Sequence, residues 1–117
     1  MTEQAQWTHV CALTDIVPNT GVCAKVGQAQ VAVFRIVCPQ GIEEGVFALG
    51  NFEPKSQANV LSRGLVGDLG GVSVVASPVY KNHYALTTGA CLEEEALCVP
   101  VYAVRVVEGA VLVGAAL

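Results

Sequence analysis

Few residues of this chain combine the types and the spacing that chemistry requires. His9 and Cys11 stand two positions apart, which on a strand would place both side chains on one face. Two soft ligands do not make a zinc site, because zinc takes four protein ligands, or three and a water molecule. A structural pair is therefore the preferred interpretation of these two residues.

Five cysteines are present, and no two of them have the Cys-x-x-Cys spacing. The first ten residues show neither the basic head nor the apolar stretch of an export signal, so we expect reduced thiols. Small apolar core positions are the default for each cysteine. Cys91 and Cys98 flank the acidic run 93–95, but two core thiols are favoured over a disulfide. The acidic run itself is predicted to be a solvated turn.

Nucleophilic and acid–base machinery is not visible in the sequence. Ser56, Ser62 and Ser77 lie in predicted turns, and the Gly-x-Ser-x-Gly elbow is missing around all three. Glu43 and Glu44 are adjacent, so on a strand their carboxylates would point to opposite faces. The chain also has no Gly-x-Gly-x-x-Gly or Walker loop. Motifs alone therefore predict a small domain without catalytic residues.

The elements between these residues are short β-branched segments, separated by glycine, proline and asparagine. They predict strands at 8–12, 22–26, 31–37, 46–49, 72–76, 83–86, 99–107 and 110–113. Residues 27–30 and 67–71 are predicted hairpin loops, and 58–65 could hold one helical turn. About ten short strands at this spacing indicate an all-β sandwich or small barrel.

Composition narrows the classes of partner. Of 117 residues, 53% are hydrophobic and only 14% are charged, so we expect a partner to cover part of the surface. The net charge is −4 and the six basic residues are scattered, which argues against nucleic-acid binding. The longest uncharged run, 69–80, is too short to cross a bilayer. We expect one domain over 1–117, with its core at 7–113, in the cytoplasm and not at a membrane.

The spacing of residues 77–89 resembles the second cluster loop of Rieske iron–sulfur domains. That loop follows a pattern close to Cys-Pro-x-His-Gly-x-x-Phe, with a glycine five residues later. Here Ser-Pro-Val-Tyr-Lys starts at Ser77, and Tyr84 and Gly89 keep the same offsets. The first Rieske loop, Cys-x-His, would correspond to Glu-Pro-Lys at 53–55. The resemblance covers about residues 7–113 and implies a Rieske-like fold.

The four positions of the Rieske ligands carry Glu53, Lys55, Ser77 and Tyr80 in this chain. A Rieske [2Fe–2S] centre needs two thiolates and two imidazoles. Carboxylate, hydroxyl and phenol oxygens are hard ligands, and a lysine ammonium has no lone pair to offer. The resemblance therefore implies cluster-binding loops without ligands, and no cofactor or metal in this chain.

Within that fold, the chain resembles the small subunits of assimilatory NAD(P)H-dependent nitrite reductases. The resemblance rests on Trp7, on 18–24 and 30–35, on Leu-Ser-Arg-Gly-Leu at 61–65 and on Ala-Ser-Pro at 76–78. It implies a cytoplasmic oxidoreductase of nitrate and nitrite assimilation that reduces nitrite to ammonium. A large subunit would carry FAD, sirohaem and an iron–sulfur cluster, and this chain would support it without catalytic residues.

If the chain docks as cluster-bearing relatives do, residues 52–63 and 78–84 face the partner. The candidate interface residues are Phe52, Arg63, Tyr80, Lys81 and His83. Other roles compete with this one. Tyr84 is expected in the core, and Tyr80 could fill the space of the cluster with its hydroxyl on Ser77 or on the backbone. Arg63 could pair with a carboxylate of the partner or, as is slightly preferred, with Asp68 or Glu53 of this domain.

Two other functional classes remain open at the level of sequence. A free-standing electron-transfer protein would need an unusual cluster or a mononuclear iron, and Cys38-Pro39 is the only Cys-Pro in the chain. It precedes the matching strand and has no histidine near it, which disfavours this class. The runner-up is a ligandless Rieske-like binding or regulatory module of another reductase or oxygenase, because a fold does not fix a function.

Overall fold

The computed structural model describes residues 6–117 and is all-β. Its strands are β1 (Thr8–Ala12), β2 (Thr20–Val26), β3 (Ala29–Val37), β4 (Glu43–Gly50), β5 (Phe52–Glu53), β6 (Ala58–Asn59), β7 (Leu65–Leu69), β8 (Val72–Ala76), β9 (His83–Ala85), β10 (Val101–Val107) and β11 (Ala110–Ala116). Two 3-10 turns, Leu13–Asp15 and Leu61–Arg63, complete the regular structure of this range. The predicted fold class is confirmed.

The largest sheet has six antiparallel strands in the order β1-β11-β10-β4-β3-β2. The β2–β3 hairpin turns over Gly27 and Gln28 alone, because Val26 pairs with Ala29. The predicted four-residue loop is therefore too long by two residues. Gly27 supplies the positive φ, 60°, that such a tight turn requires.

A second sheet of three antiparallel strands has the order β7-β8-β9. The hairpin predicted at 67–71 is present, but its loop is shorter than predicted by three residues, because β7 continues through Leu69 and only Gly70 and Gly71 turn. The register places Val66 opposite Val75. Val75 is fully buried and Val66 packs against the same core cluster, so this face of β7 points inward.

The core has two clusters that share β3 as a common wall. Ala32, Phe34 and Ile36 point into the cluster between the two sheets, whereas Val31 and Val33 point into the interior of the larger sheet. Side chains along a strand alternate between faces, so β3 is buried on both sides and holds the sheets together.

The C-terminal segment packs on this domain, because Val111 and Val113 of β11 are fully buried.

The burial of the cysteines differs from the expectation that all five are core residues. All five are free thiols, but only Cys91 is buried, and Cys23 and Cys98 are exposed. No disulfide joins Cys91 to Cys98. None of the helices within residues 6–117 is long and apolar enough to cross a membrane.

The proposed pairing of His9 with Cys11 on one face is not observed. A shift of the β1–β11 register falls between these two residues, so the alternation of faces is broken there. His9 is exposed, and Cys11 is half-buried. Burial and the nearby Asp15 raise the pKa of the Cys11 thiol.

Candidate functional site

The first loop, residues 52–63, is a two-pair hairpin followed by a 3-10 turn. Phe52 pairs with Asn59 and Glu53 with Ala58, and Gln57 N donates to Glu53 O over 2.8 Å. Leu61 is fully buried and fixes the end of the loop in the core. The loop therefore holds its shape through backbone bonds and one apolar anchor.

The second loop, residues 77–84, closes the turn between β8 and β9. Ser77 N donates to Asn82 O over 2.9 Å, and Lys81 N donates to Ser77 O over 3.0 Å. Ser77 Oγ also accepts from Val79 N over 3.2 Å. Lys81 has a φ of 64°, the left-handed conformation that lets the chain return to β9.

Glu53 joins the two loops through its carboxylate, which has no solvent exposure. Within the first loop it accepts from Lys55 N over 2.9 Å and from Ser56 N over 3.0 Å. From the second loop it accepts from Ser77 Oγ over 3.2 Å and from the hydroxyl of Tyr84. The position at which the resemblance implies a missing cluster ligand thus holds a carboxylate that accepts hydrogen bonds from both loops.

Two more contacts complete this buried network. Asn82 Nδ2 donates to Tyr84 Oη over 2.9 Å and approaches Glu53 Oε2 at 3.4 Å. Its other polar atom, Asn82 Oδ1, is buried and has no hydrogen-bond partner within the described range. Tyr84 itself is fully buried, so its expected core position is confirmed.

The network fixes the protonation of both ionisable members. Burial raises the pKa of Glu53, but the hydrogen bonds from Ser56, Tyr84 and Lys55 outweigh it and hold the pKa at about 2. Burial and the Glu53 carboxylate raise the pKa of the Tyr84 phenol well above its ordinary value. At neutral pH, Glu53 is therefore a carboxylate and Tyr84 a neutral donor.

Lys55 and Tyr80 form a second contact between the loops. The Lys55 Nζ lies 5.5 Å from the centroid of the Tyr80 ring, within the range of a cation–π interaction. Tyr80 is 57% exposed, so it does not fill the space of a cluster. The expected bond from Tyr80 to Ser77 is replaced by the one from Ser77 to Glu53.

The acidic run 93–95 braces both loops. Glu93 accepts from His83 N over 2.7 Å and contacts His83 Nδ1 at 2.6 Å, while Glu94 forms an ion pair with Lys55. The hydrogen bond from the His83 backbone lowers the pKa of Glu93, and the ion pair with Glu94 raises that of Lys55. The prediction of a solvated turn is therefore incomplete, because two of the three carboxylates in this run pair with loop residues.

The candidate interface residues differ in exposure. Phe52 is 47% exposed, and Arg63 and Lys81 are exposed without an ion pair to any residue from 6 to 117, whereas His83 is half-buried. The expected pairing of Arg63 with Asp68 or Glu53 does not occur. Asp68 instead accepts from Gly71 N over 2.9 Å.

The side chains around the two loops do not fit a [2Fe–2S] cluster. The four positions offer a carboxylate that already accepts hydrogen bonds, an ammonium, a hydroxyl and a phenol, but neither thiolate nor imidazole. Between residues 6 and 117, no three His, Cys, Asp or Glu side chains group so that they could hold a metal ion. The arrangement links the two loops and presents side chains at their tips.

Comparison with known proteins gives concordant matches. The sequence pattern of the Rieske-like [2Fe–2S] domain family matches residues 6–114. The nitrite reductase (NADH) small subunit of Escherichia coli K12 is 43% identical over 107 residues, covering 92% of this chain and 95% of that protein. A segment of the nitrite reductase [NAD(P)H] large subunit of Klebsiella oxytoca is 41% identical over 108 residues. It covers 92% of this chain but only 11% of that protein.

Solved structures agree with the sequence matches. The solution structure of the Escherichia coli protein NirD superposes with a TM-score of 0.81 at 38% identity, covering 96% of this chain and 98% of that one. The solution structure of the nitrite reductase [NAD(P)H] small subunit of Erwinia carotovora has a TM-score of 0.74 at 45% identity. It covers 93% of this chain and 81% of that one.

Proposed function

The chain belongs to the Rieske-like [2Fe–2S] domain family and to the nitrite reductase small subunits within it, and we propose that it supports the large subunit without catalysing any step. Nitrite, NAD(P)H and the electron path would then all belong to the large subunit. We propose FAD, sirohaem and an iron–sulfur cluster as cofactors of that subunit. We also propose that the complex is cytoplasmic and acts in nitrate and nitrite assimilation.

The observation that carries this proposal is the position of Glu53. Its carboxylate is buried and bonded to both loops, at the place that a cluster thiolate has in the Rieske pattern. A domain that has exchanged its ligands for such a link keeps a defined loop shape but has no electron carrier. Because a partner can recognise loops of fixed shape, we assign the chain a binding and stabilising role.

The Klebsiella oxytoca match supports a partnership with the large subunit. There, a segment similar to nearly all of this chain lies within a protein named as the large subunit. A covalent connection in one organism and a separate chain in another are two ways to keep two units together. We propose that this chain makes the same association without the covalent connection.

For the contact surface we propose the outward side chains of the two loops. Phe52 and Tyr80 supply exposed aromatic area, and aromatic residues are enriched at the centres of interfaces. Lys81 and Arg63 would lie at the rim, with His83 held in place by Glu93. The loops are already closed by Glu53 before any partner arrives, so little ordering is needed on binding.

The test is a pull-down of the tagged full-length chain from cells that grow on nitrite. NAD(P)H-dependent nitrite reduction is then measured in the eluate and in the large subunit purified alone. We expect the large subunit and the activity to be recovered together, and the large subunit alone to be less active or less stable. Recovery with a different reductase or oxygenase, or full activity of the large subunit alone, would overturn the proposal.

A further inference from the structure

A strip of apolar side chains lies open along β7, outside the two loops. Leu65 is 79% exposed, Leu69 44% and Val72 39%. The register pairs Leu69 with Val72 across the hairpin, and Leu65, Gly67 and Leu69 share one face of β7 by alternation. We call Leu65, Gly67, Leu69 and Val72 the β7 strip.

The β7 strip is the outer face of this hairpin and not a part of the core. Val66 and Val75 supply the inner face, and they pack in the cluster between the two sheets. A Cβ at Gly67 would meet no atom within 4 Å, so there is space directly above this glycine. Val74, its partner across the hairpin on the same face, is buried, so the exposed apolar area of this face comes from Leu65, Leu69 and Val72. An antiparallel sheet that faces water on one side normally carries polar residues there, and this strip does not.

The position of β7 makes the strip unusual. β7 is an edge strand, since the order of its sheet is β7-β8-β9. Exposed edges invite pairing with other chains, and proteins usually protect them with lysine, proline or a bulge. The sequence Leu-Val-Gly-Asp-Leu has only Asp68 for this purpose, and its carboxylate accepts from Gly71 N. A partner that covers this edge would prevent its unwanted pairing with other chains.

The strip continues into a cleft beside the second loop. The cleft has a volume of about 540 Å³ and is lined by Leu65, Ala76, Ser77, Pro78, Lys81 and His83. Leu65 therefore belongs to both features, and Lys81 and His83 belong to both the cleft and the proposed contact surface. The strip, the cleft and the second loop form one continuous surface.

The charges around this surface point to the chemistry of the occupant. The glutamates of the two loops and of the acidic run that contact them are engaged internally: Glu53 in the buried network, Glu93 with His83 and Glu94 with Lys55. Arg63 and Lys81 are exposed and have no ion pair with any residue from 6 to 117. Arg63 and Lys81 are thus the unpaired positive charges beside the cleft, whereas Asp68 of β7 and Glu95 of the acidic run are exposed negative charges without an ion pair to residues 6–117.

We infer that the large subunit covers the β7 strip and its cleft with an apolar segment flanked by acidic side chains. This inference rests on the proposed function, and it extends the contact surface from the loop tips to the side of the β7–β8 hairpin. Arg63 and Lys81 would face the acidic side chains of that segment. Association is therefore expected to weaken with added salt, as it does for exposed charge pairs.

The experiment measures the dissociation constant between the purified large subunit and labelled full-length chain, at about 50 mM and about 300 mM salt. Gly67→Glu adds bulk and a repulsive charge to the middle of the strip, and Leu65→Ser removes exposed apolar area. Lys81→Glu reverses a rim charge. Gln28→Glu is the matched control, because it adds the same charge at the exposed turn between β2 and β3. Thermal melts establish that each variant is folded.

We expect each strip variant to weaken binding by about tenfold or more, while Gln28→Glu stays within about twofold. The effect of Lys81→Glu should shrink at the higher salt concentration. If the wild-type chain binds and the folded strip variants bind equally well, the inference is overturned and the proposed function stands. If the wild-type chain does not bind the large subunit, both are overturned.

Sedimentation of the chain alone distinguishes the other occupant, a second copy of this chain. A wild-type dimer that Gly67→Glu dissociates, with unchanged affinity for the large subunit, would assign the strip to self-association and overturn the inference. A monomer over the same concentration range, together with the tenfold losses, would support it.

Discussion

Lys55 Nζ lies 5.5 Å from the centre of the Tyr80 ring, and these residues occupy the two positions that carry histidines in the Rieske pattern. The two cysteine positions are paired as well, since Ser77 Oγ donates to Glu53 over 3.2 Å. Each pair of former ligand positions now makes a direct contact between the loops. In this correspondence, two side-chain contacts join the loops where a Rieske domain has its cluster.

The first prediction concerns the buried carboxylate. Glu53→Ala removes the acceptor of two backbone N–H groups and two hydroxyls, so we expect a loss of about 3 to 5 kcal/mol in unfolding free energy. Glu53→Gln keeps one acceptor oxygen and should lose about 2 kcal/mol. Urea unfolding measures both, with the exposed Glu95→Gln as control. A loss below about 1 kcal/mol for Glu53→Ala would contradict the role of the network.

The second prediction is a specific loss of stability in acid. The pKa of Glu53 is about 2 in the folded chain against 4.5 ordinarily, so below pH 5 the unfolded chain binds more protons than the folded one. The contribution of Glu53 is therefore complete above about pH 5 and disappears as the pH falls towards 2. Its full size is about 3 kcal/mol.

Urea unfolding between pH 3 and 7 measures this dependence. Glu53→Gln should remove most of the slope, so the wild-type chain and the variant should converge in stability as the pH falls. The pKa of Glu93 is lowered in the same direction, which leaves a smaller slope in the variant. Parallel curves for the two proteins would show that Glu53 does not carry the effect.

The third prediction compares two glycines that are three residues apart. A Cβ at Gly64 would lie 2.3 Å from Ala76 O, a backbone atom that cannot move away cheaply. We expect Gly64→Ala to cost about 3 kcal/mol. Gly67→Ala meets open space and should be neutral or stabilise by about 0.5 kcal/mol, since it restricts the unfolded chain. The melting temperatures of the two variants measure this difference in stability. Equal melting temperatures would contradict the close packing at Gly64.

The fourth prediction separates binding from folding. Tyr80 and Phe52 are 57% and 47% exposed, so truncation to alanine should change the unfolding free energy by only about 0.5 kcal/mol. The same changes should weaken binding to the large subunit by about tenfold or more, or about 1.4 kcal/mol. Val17→Ala, which truncates a side chain 65% exposed in another loop, is the control. Equal affinities for all three variants would remove the loop tips from the interface.

Much of the fold follows from local sequence. β1 and β8 are predicted with the bounds that the structure has, because β-branched runs end there at turn residues. β7 is missed for a physical reason. Gly67 and Asp68 have low strand propensity, and the strand forms because Val66 packs on the core beside Val75.

The site is harder to predict, since its contacts join distant parts of the chain. The resemblance locates Glu53 and Ser77, but Glu-Pro-Lys-Ser has the composition of an exposed turn, and burial of Glu53 depends on Tyr84, 31 residues later. Lys55 and Glu94 are separated by 39 residues. One signal was available: Tyr84 stands where the family pattern has phenylalanine, and a buried phenol requires an acceptor.

The hydrogen bonds that Ser77 and Tyr84 donate to Glu53 are made entirely by side chains of this chain. A domain whose loops are joined by a cluster needs iron and sulfide to make that link. This chain acquires the closed loops in the act of folding. The closure of the loops then forms, and is lost, together with the fold of the domain.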